Sequence, residues 1–101
     1  MEELNKELNE QELEKVTGGT GPADGYYYAR VFFEGSDLIL YAGYEVSQIH
    51  VSQNGSEIRY TYKMASGQRE KLSYNAAAPL QFTVSGYCIK YHESFEYTFT
   101  L

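Results

Sequence analysis

The residues best suited to covalent chemistry are Cys88 and His92, a thiol and an imidazole four positions apart. Placed side by side, such a pair would supply a nucleophile and its base for acyl transfer. Here Cys88 falls in an alternating run that reads as a strand, and a turn follows before His92. In extended backbone that separation is too great for direct contact. A lone cysteine in such a strand packs as a small apolar group. Glu93 and Glu96 could form an acid–base pair, but they flank a turn and read as solvated surface. Two histidines, His50 and His92, with one cysteine give no recognisable metal-ligand spacing. No glycine-rich phosphate loop leads from a strand into a helix. The expectation is a chain that is not an enzyme and needs no cofactor.

A different constellation stands at the N-terminus, in "LNEQELEKVTGG", residues 8–19. Leu8, Leu13 and Val16 fall on one face of a short helix. Asn9 is a good N-cap, Glu12 completes a capping box, and Leu8 can staple against Leu13. Lys15 complements the dipole in the last turn, and Gly18 suits the left-handed residue that ends a helix. About two turns of helix are marginal alone in water, so the apolar stripe needs a partner surface.

The elements beyond it have another character. The chain changes at "TGGTGPADG", residues 17–25, which holds four glycines and a proline and reads as a linker. All eleven tyrosines and all five phenylalanines lie after it. The expected organisation is 1–19, a separate N-terminal segment; 20–25, a linker; and 26–101, a β domain. The net charge of −6 is uneven. Residues 1–19 carry six acids and two bases, a charge of −4, and residues 20–101 carry eight acids and six bases, a charge of −2. That body offers no electrostatic reason to bind nucleic acid or anionic lipid. No run approaches the roughly eighteen apolar residues of a membrane span, and one cysteine excludes an internal disulfide.

Turn signals divide the body into seven or eight short strands. Gly35-Ser36 closes one hairpin, and Asn54-Gly55 is the strongest hairpin signal. With a two-residue loop there, Val51 faces Ile58 and Ile49 faces Tyr60. "EIRYTYKM", 57–64, would then turn Ile58, Tyr60, Tyr62 and Met64 to one face. A turn at 65–67, with Gly67 left-handed, would pair Tyr60 with Leu72 and Ile58 with Tyr74. Ser85-Gly86 suggests a third hairpin, pairing Val84 with Tyr87. "HES", 92–94, suggests a fourth, pairing Tyr91 with Phe95. "NAAAPL", 75–80, is the one looser connection. The expected fold is all-β: a small antiparallel meander of seven to eight strands, closed as a barrel or a two-layer sandwich, preceded by a short helical or disordered N-terminal segment.

Residues 1–19 resemble a double-glycine leader peptide, as found on class II bacteriocins and related exported peptides. Counted back from a cut after Gly19, Val16 lies four residues before it, Leu13 seven, Glu12 eight and Leu8 twelve. Gly18 and Gly19 are the terminal pair. The resemblance implies recognition of Leu8, Glu12, Leu13 and Val16 by the peptidase domain of an ABC exporter, and cleavage after Gly19. It implies a cytoplasmic precursor and a secreted product. The physical chemistry agrees: an amphipathic helix fits an apolar groove, and two residues without side chains can enter a narrow cleft. The body departs from pore-forming bacteriocins, being longer, slightly acidic and β-patterned. The alternative is a non-secreted β binding domain whose N-terminal helix packs on the sheet.

For the body itself, tyrosine density points to recognition of an unidentified protein or cell-surface target. Tyr26, Tyr27 and Tyr28 cannot all be buried by one strand, because successive side chains point to opposite faces. They are the expected partner contacts.

Overall fold

The computed structural model describes residues 27–101 and the backbone of Lys15–Thr17. The expected N-cap Asn9 and the leader positions Leu8, Glu12, Leu13, Gly18 and Gly19 lie outside the described residues, as does Tyr26.

Among the described residues eight strands run in chain order: β1 (Lys15–Thr17), β2 (Ala29–Glu34), β3 (Asp37–Ala42), β4 (Val46–Gln53), β5 (Ser56–Met64), β6 (Arg69–Leu72), β7 (Gln81–Cys88) and β8 (Glu93–Thr100). They form two antiparallel sheets, one in the order β1-β8-β7-β4-β5 and one in the order β2-β3-β6. The all-β expectation holds, with seven strands in the body and two sheets. The Lys15–Thr17 backbone is extended and pairs Val16 with Phe99, where the sequence suggests the last turn of a helix. Val16 and Thr17 are β-branched, which favours extended backbone.

Alternation explains the core. In β8, Phe95, Tyr97 and Phe99 point inward, while Glu96 and Thr100 stay exposed. Phe82, Val84 and Cys88 do the same in β7, and Leu38, Leu40 and Ala42 in β3. Val31, Val46, Ile49, Val51, Met64 and Leu72 also belong to the interior, with Tyr28 and Ala29. Each fully buried aliphatic or phenylalanine side chain contributes about 1.5–3 kcal/mol through lost apolar hydration. Cys88 is buried among them, as its position in an alternating strand suggests.

Two hairpin turns fall where expected. Glu34 pairs with Asp37 across Gly35-Ser36, and Gln53 pairs with Ser56 across Asn54-Gly55. Beyond the second turn the register departs from expectation. Ser52 pairs with Glu57, but Val51 pairs with Arg59, so Ile58 is an extra residue in β5. A β-bulge of this kind reverses which side chains face the core. Ile49 therefore faces Thr61, not Tyr60, and Tyr60 and Tyr62 are turned to solvent. A second irregularity, between Ser47 and His50 in the pairing of β4 with β7, accompanies Gln48 at φ 54°. It spaces the buried residues Val46 and Ile49 three apart.

Three further expectations are corrected. Gly67 does take the left-handed conformation, φ 88°, but the chain there crosses to the other sheet. β6 pairs with β3, Leu38 opposite Leu72, and not with β5. Ser85-Gly86 is no turn; both residues lie inside β7. The β7–β8 hairpin turns earlier than expected, over residues 89–92 with His92 at φ 56°. Cys88 consequently pairs with Glu93, and Gly86, not Tyr91, lies opposite Phe95.

Candidate binding surface

Tyr28 is not a surface contact. Its ring is only 1 % exposed, set just before β2. Its N–H donates to the Tyr97 hydroxyl at 3.3 Å, and its own hydroxyl donates to Glu93. Burial, then the hydrogen bond to Glu93 and that group's charge, hold the Tyr28 hydroxyl well above the usual tyrosine range. Burial also raises Tyr97, partly opposed by the hydrogen bond from Tyr28. Glu93 is thus not simple solvated surface: it receives a core hydroxyl. Tyr27 is half-buried against Tyr97 and Phe99, at ring-centroid distances of 4.9 and 5.5 Å. Of the expected contact residues, Tyr28 is therefore drawn into the core and Tyr27 is half-buried beside it. The reason is that Tyr28 lies beneath the 89–92 turn, a placement that depends on the β7–β8 register.

Tyrosine is exposed elsewhere. Tyr62 is 69 % exposed, and Tyr60 and Tyr91 are each 47 % exposed. Tyr60 and Tyr62 share the outer face of β5, on the last strand of the five-stranded sheet. The His50 ring lies 4.7 Å from the Tyr60 ring, and His50 Nδ1 is 2.6 Å from Glu57 Oε1. This side chain row is held from behind, because Arg59 and Thr61 on the opposite face both reach Glu70 Oε1, at 2.7 and 3.1 Å. A rigid aromatic pair with polar tips covers area on a partner at little entropic cost.

Tyr91 belongs to a second cluster at the 89–92 turn. It packs 5.7 Å from Tyr44, above buried Tyr28 at 6.0 Å. Lys90 Nζ lies 5.4 Å from the Tyr91 ring and 5.8 Å from the Tyr44 ring, a cation–π arrangement. His92 Nδ1 is 3.4 Å from the Tyr87 hydroxyl. Farther from the 89–92 turn than Tyr60, the outer face of the sheet carries small hydroxyl residues. Ser52, Thr83 and Thr98 lie in register across three strands, and the Thr83 and Thr98 hydroxyls are 3.1 Å apart.

Sequence reasoning missed Tyr60 and Tyr62 as surface residues because the alternation of β5 places its tyrosines inward, and Tyr91 because a hairpin at 92–94 would put it in a strand opposite Phe95. The signal that separates the readings is the bulge at Ile58, which leaves no mark in the residue types. Among the described residues no group of histidine, cysteine, aspartate and glutamate side chains could hold a metal ion. Among them, too, no helix is long and apolar enough to cross a membrane. Comparison with known protein families, with curated proteins and with solved structures gives no match.

Proposed function

We propose that this chain is the precursor of an exported, bacteriocin-like β protein. Residues 1–19 are a double-glycine leader, read by the peptidase domain of an ABC exporter and cut after Gly19. The secreted body then acts by binding a protein or cell-surface target. The observation that carries the export reading is the joint spacing of Leu8, Glu12, Leu13 and Val16 before Gly18-Gly19. For the peptidase to take Val16, the Lys15–Thr17 backbone must leave β8. Three residues at a sheet edge can unpair cheaply, since edges open locally at low free energy. Support for a binding role comes from Tyr60 and Tyr62, which stand exposed on a braced strand.

Co-expression with a double-glycine peptidase domain tests the first step. Mass spectrometry should find a product beginning at Thr20. Leu13→Asp places a charge on the apolar stripe and should slow cleavage by at least about a hundredfold, since burying an unpaired charge in an apolar groove costs several kcal/mol. No cleavage, or cleavage at another bond, would sink the export reading. For the second step, the cleaved product should bind the surface of related or host cells. The double variant Tyr60→Ser, Tyr62→Ser should fold normally and lose about tenfold or more in affinity, as aromatic hot spots do. Unchanged cell binding by that variant would move the contact surface elsewhere.

The alternative, a non-secreted binding domain, has one observation in its favour. The β1 backbone continues the five-stranded sheet in register with β8. On that reading residues 1–19 stay attached and belong to the fold.

A further inference from the structure

An open groove of about 520 Å³ lies between the tip of the β4–β5 hairpin and the connection that follows β6. That volume is within the usual range for small-molecule sites, about 300–1,000 Å³. Asn54, Ser56 and Ile58 form one wall, and Ser73, Tyr74 and Asn75 form the other. None of the residues lining it is charged.

The walls are held rigidly by groups behind them. Gln53 is only 4 % exposed and spends its whole amide on the opposite wall. Its Nε2 donates to the Asn75 carbonyl at 2.8 Å and the Pro79 carbonyl at 3.1 Å, and its Oε1 accepts from the Asn75 N–H at 2.9 Å. Asn75 Oδ1 accepts from the Ala77 N–H at 3.0 Å. The Tyr74 hydroxyl donates to the Ser36 carbonyl at 3.0 Å, and its ring meets Phe33 edge-on at 5.3 Å. The Ile58 bulge brings an aliphatic side chain into the groove, half-buried against the core. By contrast, the Asn54 amide and the Ser56 and Ser73 hydroxyls make no side-chain hydrogen bond among the described residues.

We propose that this groove binds a neutral saccharide. The absence of charge among its lining residues leaves no ion pair for a phosphate, carboxylate or ammonium group. An amide and two hydroxyls that each donate and accept match ligand hydroxyls, which do both. The exposed part of the Tyr74 ring and the Ile58 side chain offer an apolar surface to the C–H face of a sugar ring. Preorganised walls lower the ordering cost of binding. The groove lies wholly in the body, so the inference is independent of the export reading.

The test is an NMR titration of the full-length chain with maltotriose, lactose and diacetylchitobiose, with citrate and spermidine as charged controls. At least one saccharide should shift the backbone amides of residues 53–58 and 73–78, saturably and in the millimolar range, about −4 kcal/mol. Ser73→Arg fills the groove from an exposed position and should weaken binding at least about tenfold without altering the rest of the spectrum. Ser56→Lys, on the other wall, should do the same and serves if the first variant misfolds. Absence of saturable shifts with all three saccharides overturns the proposal. So does binding that survives both filled variants, or citrate or spermidine binding in the same groove.

Discussion

Gly86→Val is expected to unfold the body at a markedly lower urea concentration than the parent chain. Gly86 points inward from β7, directly opposite Phe95 of β8. A Cβ there would stand 3.0 Å from the Phe95 ring and 3.1 Å from the Ser47 carbonyl oxygen. The ring could swing away, but the carbonyl belongs to the paired strand β4 and can move only with it. Both sides of the glycine are therefore filled, one by an aromatic ring and one by backbone. Overpacking of this kind costs about 1–3 kcal/mol for one or two methyl groups, and more where backbone must shift. Replacing glycine in a strand recovers about 0.5–1 kcal/mol of chain entropy, so with overpacking at the upper end of its range the expected net loss is about 2 kcal/mol. Against a total stability of about 5–15 kcal/mol, that is a large fraction, and the melting temperature should fall by roughly 10 °C or more. Gly86→Ala should cost less, and part of its cost should vanish in a Phe95→Leu background, because the two sites share one contact. A valine variant within about 0.5 kcal/mol of the parent would show that the sheet is not built around this approach.

The second large effect concerns Tyr28. Removal of its buried ring, as in Tyr28→Ala, should cost about 3–5 kcal/mol, the range for deleting a core aromatic. Tyr28→Phe keeps the ring and deletes only the hydroxyl that donates to Glu93; its cost at neutral pH should be about 1–2 kcal/mol. The pair of variants separates packing from hydrogen bonding. They also differ in pH dependence. The Tyr28 pKa is raised on folding, so the folded state holds the proton more tightly than the unfolded chain. Its contribution is fully present below the unfolded value, about 10. It is lost as pH rises from there through the folded value. The parent chain should lose stability steadily above about pH 10, read as a falling urea midpoint. Tyr28→Phe should show a shallower decline but not a flat line, because Tyr97 is shifted in the same direction. An equal slope in both proteins would mean that Tyr28 does not carry the alkaline transition.

These sites also show what residue order alone reveals. Local turn chemistry is readable: Gly35 and Gly55 take positive φ at the two hairpins where the sequence asks for it. Alternation in β7 and β8 is readable too, and it identifies Phe82, Val84, Phe95, Tyr97 and Phe99 as inward. Hidden are the choices that only tertiary packing makes. Ser85-Gly86 has the composition of a turn, yet its glycine is there to admit the Phe95 ring. The bulge at Ile58 inserts one residue without any glycine to mark it, and so turns Tyr60 and Tyr62 outward. The turn at 65–67 is correctly placed, but no local signal says that β6 will leave β5 and join β3. The proposed leader, by contrast, rests on a local pattern of residue types and intervals alone.

The order of strands has a kinetic consequence. Three pairings, β2–β3, β4–β5 and β7–β8, join neighbours in the chain and can form as local hairpins. Three others, β3–β6, β4–β7 and β1–β8, bring together residues as distant as Leu38 and Leu72, Val46 and Cys88, or Lys15 and Thr100. Closing those long loops must precede the burial that rewards it, which places such folds among the slower ones. Hairpins can therefore accumulate before the two sheets are complete. Because Cys88 is the one cysteine and lies inside the finished core, docking of the hairpins waits on no oxidation step. A chain that crossed a membrane unfolded could complete that docking on the far side with nothing but its own apolar faces to drive it.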